Sequence, residues 1–166
     1  MAKVIRTNNE YQQNIVKMLN GLAGRYSRWV IWQDFITMAA TAICNSVPHP
    51  QRDAREKLYM QCAEKYTAAE LETFAKMLAE ITLGLEANPR QDFLGELFMA
   101  LDLGNEWRGQ FFTPYNVCCL MAAMTLTENA LDKVKRRGWA DVNDPACGAG
   151  DLLIAFANAC LDKGVN

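Results

Sequence analysis

The chain has 166 residues, 51 % of them hydrophobic and 22 % charged. That is enough apolar material for a packed core, and it excludes the composition of a disordered chain. The length fits one domain, or one small domain joined to a piece of another. A net charge of −2 predicts no strong field for capturing a polyanion, so any nucleic-acid argument has to come from motifs.

Residues 8 to 46 place apolar groups at helical spacing on either side of a break at Gly21 and Gly24. Ile15, Leu19 and Leu22 share one face before the break. Trp29, Trp32, Phe35, Ile36, Ala39 and Ile43 line another after it, apolar enough to predict a place in the middle of a helical cluster. VPHP, ending at Pro50, is a loop, and His49 between two prolines reads as a turn residue rather than a ligand or general base. A helix is expected from Asp53 to Tyr66 with Leu58, Tyr59 and Cys62 inward. TAAE then opens another, with Thr67 as cap, Glu70 completing the capping box, and Leu71, Phe74, Leu78 and Ile81 as its buried stripe. Asn88 and Pro89 end it.

QDFLGELFMALDL, residues 91 to 103, predicts a short helix whose core is Phe93, Leu94, Leu97, Phe98 and Leu101. Thr113 and Pro114 look like the N-cap and first residue of a helix running to about Leu126, with Val117, Leu120, Met121 and Met124 on its apolar side. The character changes near Gly138: WADVNDPACGAG reads as a short strand, a tight glycine turn and the start of a helix carrying Leu152, Leu153, Phe156 and Cys160. This is the first half of a βα unit. A lone strand cannot make a parallel sheet, and the expectation is a fragment of a longer parent.

The six cysteines, Cys44, Cys62, Cys118, Cys119, Cys147 and Cys160, form no CxxC framework. Cys118 and Cys119 read as small buried thiols, and no metal site is expected. Lys133, Lys135, Arg136 and Arg137 could touch phosphate, but a solvated helix end explains them as well. Trp29 and Trp32 read as core; Trp107 and Trp139 are scattered. Arg108 and Gln110 flank Gly109 and read as surface hydrogen-bonding groups. Asp92, Glu96, Asp102 and Glu106 read as helix-face or connector charges. The N-terminus MAKVIRTNNEYQQ has no apolar signal core, and no segment is long and uncharged enough to span a bilayer, so a cytoplasmic location without a membrane partner is expected.

The chemistry-bearing stretch is Asp144 to Gly150, DPACGAG. Gly148 and Gly150 permit a backbone path and a close ligand approach that a Cβ would obstruct. Amides at the start of the following helix can bind polar groups, and Asp144 can accept from an amine or hydroxyl. Lysine and serine or threonine do not follow the glycines, so no Walker phosphate loop is present, and Leu153 stands where a dinucleotide fingerprint has its third glycine. On two glycines alone, an ordinary turn would be the simpler reading.

DPACGAGDLL resembles the first cofactor motif of the N6-adenine DNA methyltransferase family, especially the modification subunits of type I restriction systems and related phage or plasmid enzymes. GQFFTP, Gly109 to Pro114, resembles the family's preceding cofactor segment, and DFLGELFMALDLGNEWRG its acidic helical lead-in. The likeness covers residues 92 to 160. It implies a mainly α N-terminal region, residues 1–106, joined to the first βα unit of a Rossmann-like methyltransferase domain over residues 107–166. It implies S-adenosyl-L-methionine as cofactor, with Asp144, Pro145, Ala146, Cys147, Gly148 and Gly150 around its methionine part and Phe112, Thr113 and Pro114 beside it. These are binding positions, and none is catalytic; exocyclic-amine methylation needs no cysteine nucleophile. Ala149 stands where the family often has a hydroxyl residue, and Asn143 where it has an apolar one. An NPPY-like segment, which grips the target adenine in the family, is absent from the sequence, as is the acidic residue for the cofactor ribose.

The implied reaction of the parent is methyl transfer to adenine N6 in DNA, with specificity or restriction subunits as further partners and the isolated chain inactive. Two other readings stand beside it: a non-enzymatic helical interaction module in a restriction–modification assembly, and a methyltransferase acting on a different small molecule.

Overall fold

Asn9 opens the first helix, α1 (Glu10–Leu22), by accepting the Tyr11 and Gln12 amides on its Oδ1 at 3.0 and 3.3 Å, which satisfies donors that have no partner within the helix. The computed structural model describes residues 7–101, 103 and 112–165. The expectations at Asp102, Glu106, Trp107, Arg108, Gly109 and Gln110 therefore lie outside the described residues. The chain divides into two compact units, one ending at Ala87 and the next beginning at Asn88.

In the first unit, α1 packs on α4 (Ala68–Ala87) and α2 (Arg28–Asn45) packs on α3 (Arg52–Ala63). Ile15 and Leu19 of α1, Ile31, Trp32, Phe35 and Met38 of α2, and Phe74, Met77 and Ile81 of α4 are buried. Aromatic rings link the helices, with Phe35 and Phe74 centroids 5.7 Å apart and Tyr66 meeting Phe74 edge-on at 4.9 Å. Ser27 caps α2, its hydroxyl accepting from the Val30 amide at 3.3 Å. The capping box at Thr67 forms: the Thr67 amide donates to Glu70 Oε2 at 2.7 Å, and the Glu70 amide to Thr67 Oγ1 at 3.4 Å. The His49 ring accepts the Gln51 amide on Nδ1 at 3.1 Å, as suits a turn residue. Two expected core positions are corrected: Leu58 and Ile43 are exposed, at 45 % and 61 %. α2 also buries Asp34 and Thr41, and α3 buries Cys62 as expected.

Asp34 is 5 % exposed, and its burial is compensated. Lys65 Nζ donates to both carboxylate oxygens at 2.8 and 3.0 Å, and the Tyr66 hydroxyl donates to Oδ2 at 2.8 Å. The hydrogen bond to Asp34 raises the Lys65 ammonium above its ordinary value, and burial followed by Asp34 raises the Tyr66 phenol. This group ties α2 to the residues after α3.

The second unit contains α5 (Phe93–Ala100), α6 (Tyr115–Thr125), α7 (Glu128–Arg137) and α8 (Asp151–Asp162). α6 and α8 pack through small residues, Cys118, Ala122 and Ala155, with Tyr115, Leu152 and Phe156 around them. Asn158 donates to the Tyr115 hydroxyl across the same seam at 2.8 Å. The face expected to be buried on α6 is therefore corrected: Val117, Leu120, Met121 and Met124 are 40, 60, 45 and 71 % exposed. Leu94 and Leu153 are exposed as well, at 40 % and 37 %. Small side chains let two helix backbones approach closely, and that choice of face turns the larger apolar groups outward. α7 is amphipathic, with Ala130, Leu131 and Val134 half-buried on one side, and ends at Gly138, whose φ of 80° and amide hydrogen bond to the Val134 carbonyl close the helix. Its last turn carries Lys135, Arg136 and Arg137, where cations complement the helix dipole. The Arg137 guanidinium lies 3.6 Å from the Trp139 ring centroid.

Among the described residues there is no strand, and the one bridge pairs Ala23 with Tyr26. The short strand expected just before Asp144 does not form: residues 139–144 have neither helical nor ladder bonding. A strand exists by virtue of a neighbour that takes its amides and carbonyls, and none is present among the described residues. No helix among them is long and apolar enough to cross a membrane.

Candidate functional site

The DPACGAG segment folds as a sequence of local turns. Asp144 Oδ1 accepts the Ala146 amide at 3.0 Å, and the Gly150 amide donates to the Cys147 carbonyl at 2.6 Å. Gly148 and Gly150 take φ of 52° and 89°, the left-handed region in which a side chain is strained. The chain leaves Gly150 directly into α8, whose N-terminus no side chain caps. Its first-turn amides therefore face outward without the partner that Asn9 or Thr67 supplies elsewhere.

The TP segment meets this loop. A Cβ built on Gly148 would lie 3.5 Å from Phe112 Cδ1, an ordinary contact, so the ring stands against the loop and the glycine is required by its φ rather than by crowding. Phe112 also packs on Phe98, with centroids 5.1 Å apart. The helix start expected at Pro114 is corrected by one residue: Pro114 is the N-cap, with ψ of 137°, and α6 begins at Tyr115. Its extended ψ keeps Pro114 outside the helix while its carbonyl accepts from the Val117 and Cys118 amides at 2.9 and 3.2 Å. Thr113 consequently makes no cap and stands exposed at the mouth.

Between the two segments lies a cavity of about 200 Å³. Phe112 and Thr113 line one side, and Asp144, Ala146, Cys147 and Gly148 line the other. Pro114, Pro145 and Gly150 belong to the same turns but do not line it. Four further lining residues were not singled out by motif: Cys118 and Met121 from α6, and Asp151 and Leu152 from α8. A larger open concavity of about 430 Å³ on α7, beside Lys133, Lys135 and Arg136, contains no residue of either motif.

Asp151 is the most unusual of these. It is 4 % exposed, and its Oδ1 is buried without a hydrogen-bond partner. Asp92 lies within hydrogen-bonding reach of it. Burial, and then the neighbouring Asp92 carboxylate, push the Asp151 carboxyl up to about 6. Asp92 itself is 6 % exposed and caps α5, accepting the Gly95 amide on Oδ1 at 2.8 Å. This corrects its reading as a helix-face charge. The signal was legible in the DxxG spacing: Gly95 has no room for a Cβ, which would lie 2.0 Å from Asp92 Oδ2. Burial likewise pushes the Cys118 thiol up, with Asp151 adding to the effect. Cys119, expected to be buried with it, is exposed. Among the described residues no cluster of histidine, cysteine and acidic groups could hold a metal ion.

Chemically, the cavity offers a carboxylate, free helix amides, a flat aromatic wall and a glycine backbone. Its volume falls below the ~300–1,000 Å³ usual for ligand pockets, so it fits one end of a nucleoside-sized molecule. Residues 97–164 match the family model of the N-6 DNA methylases. No curated protein and no solved structure matches the chain. Residues 97–164 are thus similar to the N6-adenine DNA methyltransferase family.

Proposed function

We propose that this chain forms the donor side of an S-adenosylmethionine-dependent DNA adenine-N6 methyltransferase of the restriction–modification kind, the cavity holding the methionine end of the donor. The observation that carries this reading is the meeting of two distant segments, Phe112–Thr113 and Asp144–Gly148, on one cavity beside an uncapped helix N-terminus. The donor, when bound, supplies an activated methyl group on sulfur. The chain's residues bind and orient it. Asp144 accepts from an amino or hydroxyl group, the α8 amides take a carboxylate, and Phe112 excludes water from the glycine side. Catalysis then rests on alignment of the methyl group with the adenine amine.

Calorimetric titration of the folded chain with S-adenosylhomocysteine tests the reading. Saturable binding that Asp144→Ala weakens is expected; absence of saturable heat at millimolar ligand overturns it. The exposed stripe Val117, Leu120, Met121 and Met124 on α6 favours a second reading, an interaction module docking to specificity or restriction subunits. In that case the chain binds no donor and this stripe carries the interaction.

A further inference from the structure

The two units treat buried acid differently. Asp34 is sheathed by an ammonium and a phenol. Asp92 and Asp151, 6 % and 4 % exposed, lie within hydrogen-bonding reach of each other, and among the described residues neither has a lysine or arginine partner. The groups around them do not supply the missing positive charge. α6 contributes the Cys118 thiol, near both carboxylates, and the Tyr115 phenol near Asp92. The turn before α8 contributes a third carboxylate, Asp144, on the same cavity. The α8 N-terminus offsets part of the cost of Asp151, and Gly95 offers Asp92 one amide. Buried carboxylates without a counter-ion are costly. A site that retains them next to a cavity has a field suited to a cationic occupant.

We propose that the Asp92–Asp151 pair is a charge selector in this cavity, favouring a positively charged ligand over its neutral counterpart. Resting on the donor reading above, this means that the pair distinguishes the sulfonium donor, S-adenosylmethionine, from the spent thioether, S-adenosylhomocysteine. The two ligands share the adenosine and amino-acid ends and differ by one methyl group and one positive charge. Selection by charge therefore favours loading of fresh donor and release of product. Asp151 lines the cavity and its Oδ1 has no partner, so no internal contact has to be broken for its charge to act on the ligand.

The test is the ratio of the two affinities, measured by titration calorimetry on the full chain. Asp151→Asn keeps the shape and removes the charge; it is expected to lower the preference for S-adenosylmethionine over S-adenosylhomocysteine by about tenfold, while affinity for the thioether changes by less than about threefold. Asp92→Asn retains a side-chain oxygen for the Gly95 amide and should shift the ratio in the same direction, which keeps the test readable if one variant fails to fold. A ratio unchanged in both folded variants, with both ligands still binding, overturns the charge selector and leaves the donor site standing. Failure of the wild-type chain to bind either ligand overturns the donor reading and the selector together.

Discussion

Replacing Asp151 by asparagine should make the protein more stable at neutral pH, an outcome opposite to that of most substitutions at a 4 % exposed position. The folded state holds the Asp151 carboxyl at about 6 against an ordinary 3.8, with burial the larger cause and Asp92 the second. Each pKa unit corresponds to about 1.4 kcal/mol, so ionised Asp151 penalises the fold by roughly 3 kcal/mol. The sign follows from the proton count. An acid whose folded value is raised adds stability that is complete below the unfolded value. That contribution declines as pH rises through the folded value, because the folded state is then the one still holding the proton. Asparagine remains neutral throughout. It forfeits the attraction of a carboxylate to the α8 N-terminus, about 0.3–1 kcal/mol, leaving a net gain of about 2 kcal/mol at about pH 7.5. At about pH 4, where Asp151 is protonated in the folded state, the two proteins should agree within about 1 kcal/mol. Urea denaturation followed by circular dichroism at both pH values reads the difference. A variant no more stable than wild type at the higher pH, or a difference equal at both, would refute the account of the carboxyl pair.

Five further outcomes rest on local geometry. Gly150→Ala, at φ of 89°, should lower stability by about 1–2 kcal/mol. Gly21→Ala, inside α1 with no atom within 4 Å of the added methyl, should be neutral or stabilising by up to about 1 kcal/mol; thermal melting of the pair separates backbone strain from crowding. Asp34→Ala should cost about 2–3 kcal/mol in urea titration, below the full loss of a buried pair because Lys65 is 42 % exposed, and Tyr66→Phe about 1 kcal/mol. Thr67→Ala should cost about 1 kcal/mol and raise amide exchange in the first turn of α4; unchanged exchange there would contradict the capping role.

Much of the secondary structure was legible because helix signals are local. Thr67 and Glu70, the Gly21–Gly24 break and the turn around His49 each act within a few residues, and the structure has them where the chain implied. The meeting of the TP segment and the glycine loop was implied by resemblance, and the structure brings Phe112 onto Gly148. What local pattern could not decide was which side of a helix finds a neighbour. On α6 the large apolar residues 117, 120, 121 and 124 made the more conspicuous stripe, yet α8 packs on Cys118 and Ala122, where small side chains permit close approach.

By itself the sequence implied most of the helices, the Thr67 cap and the need for glycine at 148 and 150, and residues 97–164 match the family model of the N-6 DNA methylases. Only the tertiary structure decided that Asp92 and Asp151, nearly sixty residues apart, come near each other with no lysine or arginine partner among the described residues, Asp151 lining the cavity. The reason is physical. Helical bonding and turn strain depend on residues close in the chain, whereas the cost of burying a charge depends on everything that comes near it in space.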